Sequence, residues 1–183
     1  MNYLQILKEL RTQREMFEVS IDDEVLIKAI EHTRFAANAR NEQILRYTLI
    51  NDKRCNELFI TTNLPSFHKV AVEQAPSAYI VIGSNEDRKN DTLYGMDIGI
   101  SSQVIREYLH LEGYASMMIY SFDRLKAKEL INIDNFFPEM VIAIGKSDQI
   151  IRCEDSDEEV GYYRNEKNEH TLRKLVIDKL IVK

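Results

Sequence analysis

Three short stretches hold the residues best suited to chemistry. Arg11 and Arg14 flank the hydroxyl of Thr12, which places two forked cationic donors and one small neutral donor within four positions, a combination suited to phosphate. Residues 38–43 contain Asn38, Asn41 and Gln43, whose carboxamides donate and accept at once and so suit the polar edge of a heteroaromatic ring. Arg173 and Lys174, just ahead of the last apolar run, either bring further positive charge to the same phosphate or line a solvated helix end. Taken alone, the first two clusters are more readily the makeup of ordinary surface turns.

Several other chemistries are excluded more firmly. His32, His68, His110 and His170 are isolated, with no spacing that sets two metal ligands on one face. No GxSxG surrounds any serine, no P-loop is present, and no GxGxxG follows any candidate strand, which argues against a Rossmann domain. Asp157, Glu158 and Glu159 read as a solvated loop, and Cys55 and Cys153, far apart and outside any CxxC, read as reduced thiols. The formal net charge of -6 provides no broad basic footprint for nucleic acid. The first residues lack the features of a signal peptide and no run reaches the roughly 18 apolar residues of a membrane span, so the expectation is a cytoplasmic protein without a membrane partner.

These residues need a scaffold, and 183 residues with 44% hydrophobic and 30% charged content predict a single domain over 1–183. Tyr3, Ile6, Leu7 and Leu10 predict an opening amphipathic helix that must dock on something. Ser20, with Asp23 three residues later, predicts the cap of a second helix ending near Ala36. A strand is expected over 44–50, a turn at Asn51 and Asp52, and short helical patterns over 56–61 and 66–74. Residues 77–83, with Tyr79, Ile80, Val81 and Ile82 consecutive, read as a central strand buried on both faces.

The most apolar long segment runs from Met96 to Phe122 and reads as a helix followed by a strand over 115–122. Asp91 or Thr92 caps this helix, Gly113 provides its left-handed terminus, and only Arg106, Glu107 and His110 are left for solvent. A helix so apolar is covered either by the core of its own chain or by its own copy in a symmetric dimer. Asp123 then caps a helix to about Ile131, a strand follows over 140–144, residues 152–170 are polar and acidic, and 175–182 read as a docked element. Helices and strands do not alternate strictly, which predicts an α+β sandwich with a mixed sheet covered by helices.

In this order the pieces resemble the FMN-dependent nitroreductase family, and the likeness covers nearly the whole chain. Leu10-Arg11-Thr12-Gln13-Arg14 is similar to the family's Arg-Arg-Ser-x-Arg, and residues 36–43 to its Ala-Pro-Ser-x-x-Asn-x-Gln. Asp97, Gly99 and Gln103 resemble its Asp-x-Gly-x-x-x-Gln helix, followed by Gly113-Tyr114-Ala115-Ser116 and Ile119-Tyr120-Ser121-Phe122. Residues 139–146, 163–166 and 170–174 resemble its closing strand and tail. Leu10 stands where the family has an Arg, Ala37 replaces Pro, Asn38 replaces Ser, Ile44-Leu45 replace Pro-Trp, and Tyr120 occupies a position often held by Gly or Glu.

The resemblance implies a three-layer α-β-α sandwich in a domain-sharing homodimer with FMN at the subunit interface. It implies that Arg11, Thr12, Arg14, Arg173 and Lys174 hold the phosphate and ribityl side, that Asn38, Ala39, Asn41 and Gln43 line the ring from the partner, and that Tyr120 and Ser121 face its N5 edge. The implied activity is NAD(P)H-driven reduction of nitroaromatic or quinone-like acceptors, small aromatic molecules, with no side chain acting as obligatory acid or base and no metal. A flavin-holding sensor or store with little turnover is the alternative it leaves open.

Overall fold

The apolar run at 79–82 becomes the strand around which the layers assemble. In a computed structural model that describes residues 2–62, 71, 74–167 and 169–182, that strand, β2 (Ala78–Ser84), is buried at all seven positions. It pairs antiparallel with β1 (Arg46–Ile50) on one side and with β4 (Phe137–Gly145) on the other, and β4 pairs antiparallel with β3 (Ala115–Ile119). The order is therefore β1-β2-β4-β3.

Alternation along β2 feeds two cores. Tyr79 and Val81 join Cys55, Leu58 and Phe59 of α3 (Arg54–Thr61) and Ala127 and Ile131 of α5 (Arg124–Ile131). Ala78, Ile80 and Ile82 join Leu26 and Ala29 of α2 (Asp23–Thr33) and Ile98, Ile105 and Leu109 of α4 (Thr92–Leu111). Each fully buried isoleucine contributes on the order of 1.5–3 kcal/mol, so a strand with apolar side chains on both faces holds both layers of helices. The result is the expected α-β-α sandwich. At Gly83, where the β2–β4 register shifts, an added Cβ would collide with the Phe137 carbonyl oxygen, so the bulge requires glycine.

Caps read from sequence hold for the later helices. The Asp91 carboxylate accepts from Leu93 N and Tyr94 N at 3.0 and 3.2 Å, Asp123 accepts from Lys126 N at 3.1 Å, and Gly113 has φ 74° just beyond α4. For α2 the cap is Asp22, which accepts from Glu24 N, rather than Ser20, and the helix stops at Thr33. The strand expected over 115–122 ends at Ile119, and Phe122 meets Thr62 in an isolated bridge. The helical pattern over 66–74 falls, apart from residues 71 and 74, outside the described residues, as does His68.

Two expectations are corrected, and one stretch gains elements that its composition does not announce. Residues 152–170, polar and acidic in sequence, are not without regular structure. They contain β5 (Ile151–Ser156) and β6 (Gly161–Arg164), which flank β7 (His170–Leu175) in a second sheet, with β5 parallel and β6 antiparallel to it. Opposed charges supply the pairing that hydropathy does not announce, since Glu154 stands opposite Arg173 and Asp155 opposite Lys174. Parallel pairing, the mixed character expected of the sheet, enters here and at a bridge between Thr12 and Ser116 on the free edge of β3. The end of the chain is not docked on the described residues. After β7 it forms α6 (Ile177–Leu180), with Ile177, Leu180 and Ile181 exposed and Val182 96% exposed.

The second correction is Arg106, which is buried rather than solvated. Four residues after Ser102 and three before Leu109, it lies on the inward side of α4, while Leu93, Met96 and Ile100 face outward, the last two 59% and 40% exposed. The opening helix α1 (Tyr3–Glu9) lies against α4, where Tyr3 Oη donates to Glu107 Oε1 at 3.0 Å, yet it buries none of its residues. No helix among the described residues is long and apolar enough to cross a membrane.

Candidate functional site

The carboxamide loop is held from beneath by α4. Its Ala39 N donates at 2.9 Å to Asp97 Oδ1, while Oδ2 of the same buried carboxylate has no partner among the described residues. Gln43 N donates to Asn38 Oδ1 at 3.1 Å and Gln43 Nε2 to Asn41 Oδ1 at 3.2 Å, so Gln43 ties the loop to Asn38 through its backbone and to Asn41 through its carboxamide. Arg40, Asn41 and Gln43 have φ of 53°, 56° and 49°, a run of left-handed residues that costs energy and persists because Asp97 and Asn38 fix it. Beside the loop is a cleft of about 180 Å³ lined by Asn38, Gln43, Tyr47, Asp97 and Ser101, with Tyr47 Oη 2.9 Å from Ser101 Oγ.

The cationic residues divide into separate groups. Arg11 Nη1 donates to the Leu7 and Leu10 carbonyls at 2.6 Å each, closing the end of α1, and its Nε donates to Cys153 Sγ at 2.9 Å. Thr12 lies on the edge of β3 through its bridge to Ser116. Arg14 sits instead with the small sheet, where its backbone N–H donates to Gln149 Oε1 at 2.8 Å. Burial and then Arg164 lower its pKa, against Tyr162, which raises it. Arg173 is bound to Glu154 at 3.1 Å and to Glu159, and Lys174 faces Asp155 across the strand pair.

Tyr120 and Ser121 follow β3, roughly 13 Å along the strand from Ser116. The exposed Tyr120 ring stacks under the Arg124 guanidinium at 4.6 Å, and Arg124 is itself held by Glu139 at 3.0 Å. Thus Arg11 and Thr12 come together, Asn38, Ala39, Asn41 and Gln43 come together, and Arg14, Arg173 and Lys174 fall with the second sheet.

Two residues that matter to this arrangement do not follow from the sequence pattern. Asp97 belongs to a helix motif, but its role as the anchor of the loop has no local signature, since it joins position 97 to position 39. The charge of Arg106 points to solvent, not to the core. Its Nε donates to Ser116 Oγ at 3.2 Å and its Nη2 is buried without a partner. The available signal was its spacing from Ser102, Ile105 and Leu109, which places it on their side of α4.

No family model matches the chain, and no protein with a curated description does. Solved structures do. A nitroreductase family protein from Streptococcus pneumoniae TIGR4 is 18% identical with TM-score 0.73, covering 100% of both chains. One from Clostridium novyi NT is 20% identical with TM-score 0.69, covering 81% of this chain and 87% of the other. An FMN-dependent nitroreductase from Clostridium difficile R20291 is 19% identical with TM-score 0.64, covering 81% and 90%. The sandwich of antiparallel sheet and flanking helices is therefore the nitroreductase-family fold.

The donor set suits FMN. Cations and hydroxyls gather at the β3 edge, a carboxamide edge lies on α4, and an unfilled buried donor on Arg106 is suited to an anion.

Proposed function

We propose that the protein is an FMN-dependent oxidoreductase acting as a homodimer, which reduces nitroaromatic or quinone-like acceptors at the expense of NADH or NADPH. The observation that carries this reading is the gathering of the polar residues at two stations on α4, Asp97 with its loop and Arg106 with the β3 edge, within a nitroreductase fold. What a bound FMN supplies is the redox chemistry, accepting a hydride from a reduced nicotinamide and returning it to a planar acceptor.

The side chains bind, orient and exclude water. Arg11 and Thr12, with Arg14 and Lys174 further out, provide the field for the phosphate end, while the offset of Arg173 by two glutamates weakens its share. Asn38, Ala39, Asn41 and Gln43 present donors and acceptors to the ring from the partner subunit, and the backbone at Tyr120 and Ser121 stands at its N5 edge. The outward faces of α4 (Leu93, Met96, Ile100) and α1 (Tyr3, Leu4) are the surfaces a second copy would cover. Light scattering at micromolar concentration is expected to give about twice 21.4 kDa, and a monomer mass would count against the dimer.

The decisive experiment is rapid mixing of the FMN-loaded protein with each reduced nicotinamide, where bleaching of the flavin is expected with at least one. No bleaching with either would leave a flavin-holding module. That second reading is favoured by one observation, the Tyr120 ring pinned by Arg124 beside the expected N5 edge, which narrows access. FMN at a hundredfold excess over its Kd should stabilise the fold by about 2.7 kcal/mol, a Tm rise of roughly 5–11 °C. Riboflavin should give much less.

A further inference from the structure

Arg106 is the least expected charge in the molecule. It is 6% exposed, its Nε donates to a serine hydroxyl, and its buried Nη2 has no partner. Among the described residues it takes part in no ion pair. Other partly buried arginines are treated differently. Arg124 is gripped by both carboxylate oxygens of Glu139, at 3.0 and 3.1 Å, and Arg164 meets Glu15 at 3.0 Å. Burial, and after it the like charge of Arg11, lower the Arg106 pKa. A cation withdrawn from water without an anion is strongly unfavourable, and a well-packed leucine in its place would avoid that cost. The arrangement is economical only if an anion completes it.

The surroundings specify what kind of anion. Ser116, which receives Arg106 Nε, is the β3 residue bridged by Thr12, and Gln13 N donates to the Ser116 carbonyl at 3.5 Å. Arg106 therefore meets the Ser116 hydroxyl at the edge of β3, with Thr12 bridged to the same residue and Arg11 near enough for its charge to act on Arg106. The Arg11 fork is oriented by the Leu7 and Leu10 carbonyls and by Cys153. Planar forks and small hydroxyl donors together match the several oxygens of a phosphate monoester better than a single carboxylate.

We propose that Arg106 is the cation that holds the phosphate monoester of the bound flavin, in a subsite completed by Arg11, Thr12 and Ser116 at the β3 edge. Arg106 then sets the preference for FMN over riboflavin. The inference rests on the flavin reading above, and the experiment separates the two.

Apo protein is titrated with FMN and with riboflavin by flavin fluorescence, for the parent, Arg106→Gln, Ser116→Ala and the control Arg54→Gln, which removes an arginine paired with Asp52. The parent should favour FMN. Arg106→Gln should weaken FMN roughly 10- to 150-fold while leaving riboflavin nearly unchanged, as expected for a lost charge-assisted hydrogen bond. Ser116→Ala should act in the same direction more weakly, and keeps the test decisive if Arg106→Gln does not fold. Arg54→Gln should change neither affinity.

Thermal melting of the apo protein supplies a signature that a purely structural arginine would not give. Arg106→Leu should melt higher than the parent without ligand and gain less from FMN. Equal affinity of the parent for the two flavins, or an FMN preference that survives both Arg106→Gln and Ser116→Ala, would overturn the proposal. If neither flavin binds the parent, the flavin reading fails by itself. Inorganic phosphate then decides the subsite: it should raise the parent's Tm and not that of Arg106→Gln, and equal or absent shifts would overturn it.

Discussion

Every residue of β2 in the four-stranded sheet is buried, whereas no residue of β6 in the three-stranded sheet is. The first sheet is held by apolar side chains on both faces. The second is held by its backbone ladder, by opposed charges such as Glu154 with Arg173, and by Arg152 with Glu169 at 3.2 Å. Area removed from water is worth far more per residue than an exposed ion pair. The first sheet therefore carries the stability, while the second is free to carry charge.

The comparison can be broken at its stronger end. Ile80→Ala, at a position with no exposure in the middle of β2, should cost about 2–5 kcal/mol, a Tm loss of roughly 4–20 °C measured by calorimetry. A loss no larger than that of a surface change would refute the assignment of stability to the central sheet.

His170 tests a well-buried polar position of the second sheet, next to the buried Thr171. Its ring lies edge-on to Tyr162 at 5.0 Å, and burial, then Arg164 and Arg14, push its pKa below the ordinary 6.5, against Glu15. A lowered histidine makes the unfolded chain bind more protons, so this contribution is complete above pH about 6.5 and is lost as pH falls through the folded-state value. Tm should therefore decline on acidification below about pH 6.5. His170→Leu should flatten that decline. Lowered carboxylates such as Asp52 and Glu169 act in the same direction at more acid pH. The smallest effect is expected at the exposed pair, where Glu154→Gln should move Tm by little more than the error of the measurement, and less still in high salt. A large shift would mean that the small sheet is held by more than its ladder.

The same contrast explains what the sequence made legible. Tyr79 to Ile82, the caps at Asp91 and Asp123, and Gly113 could be read because burial on two faces and helix ends leave local patterns. Residues 151–164 could not, because Arg152, Glu154 and Asp155 read as solvated and their pairing with residues 169–174 is a long-range fact. The candidate site was legible by type and not by grouping. Arg11 with Thr12, and Asn38 with Gln43, are together as expected, but Arg14 and Arg173 belong to the second sheet. Arg106 was hidden by its charge, since a cation is normally read as solvent-facing.

The bridges from Thr12 to Ser116 and from Phe17 to Lys146 have a consequence beyond the site. A bare outer strand exposes unpaired amides and carbonyls that can recruit a strand from another molecule. By bridging Ser116 near the start of β3 and Lys146 just past β4, residues 12–17 cover the beginning of that border. Removing them would take Met16 out of the core beneath the central sheet and at the same time uncover a surface prone to fibril-like self-association.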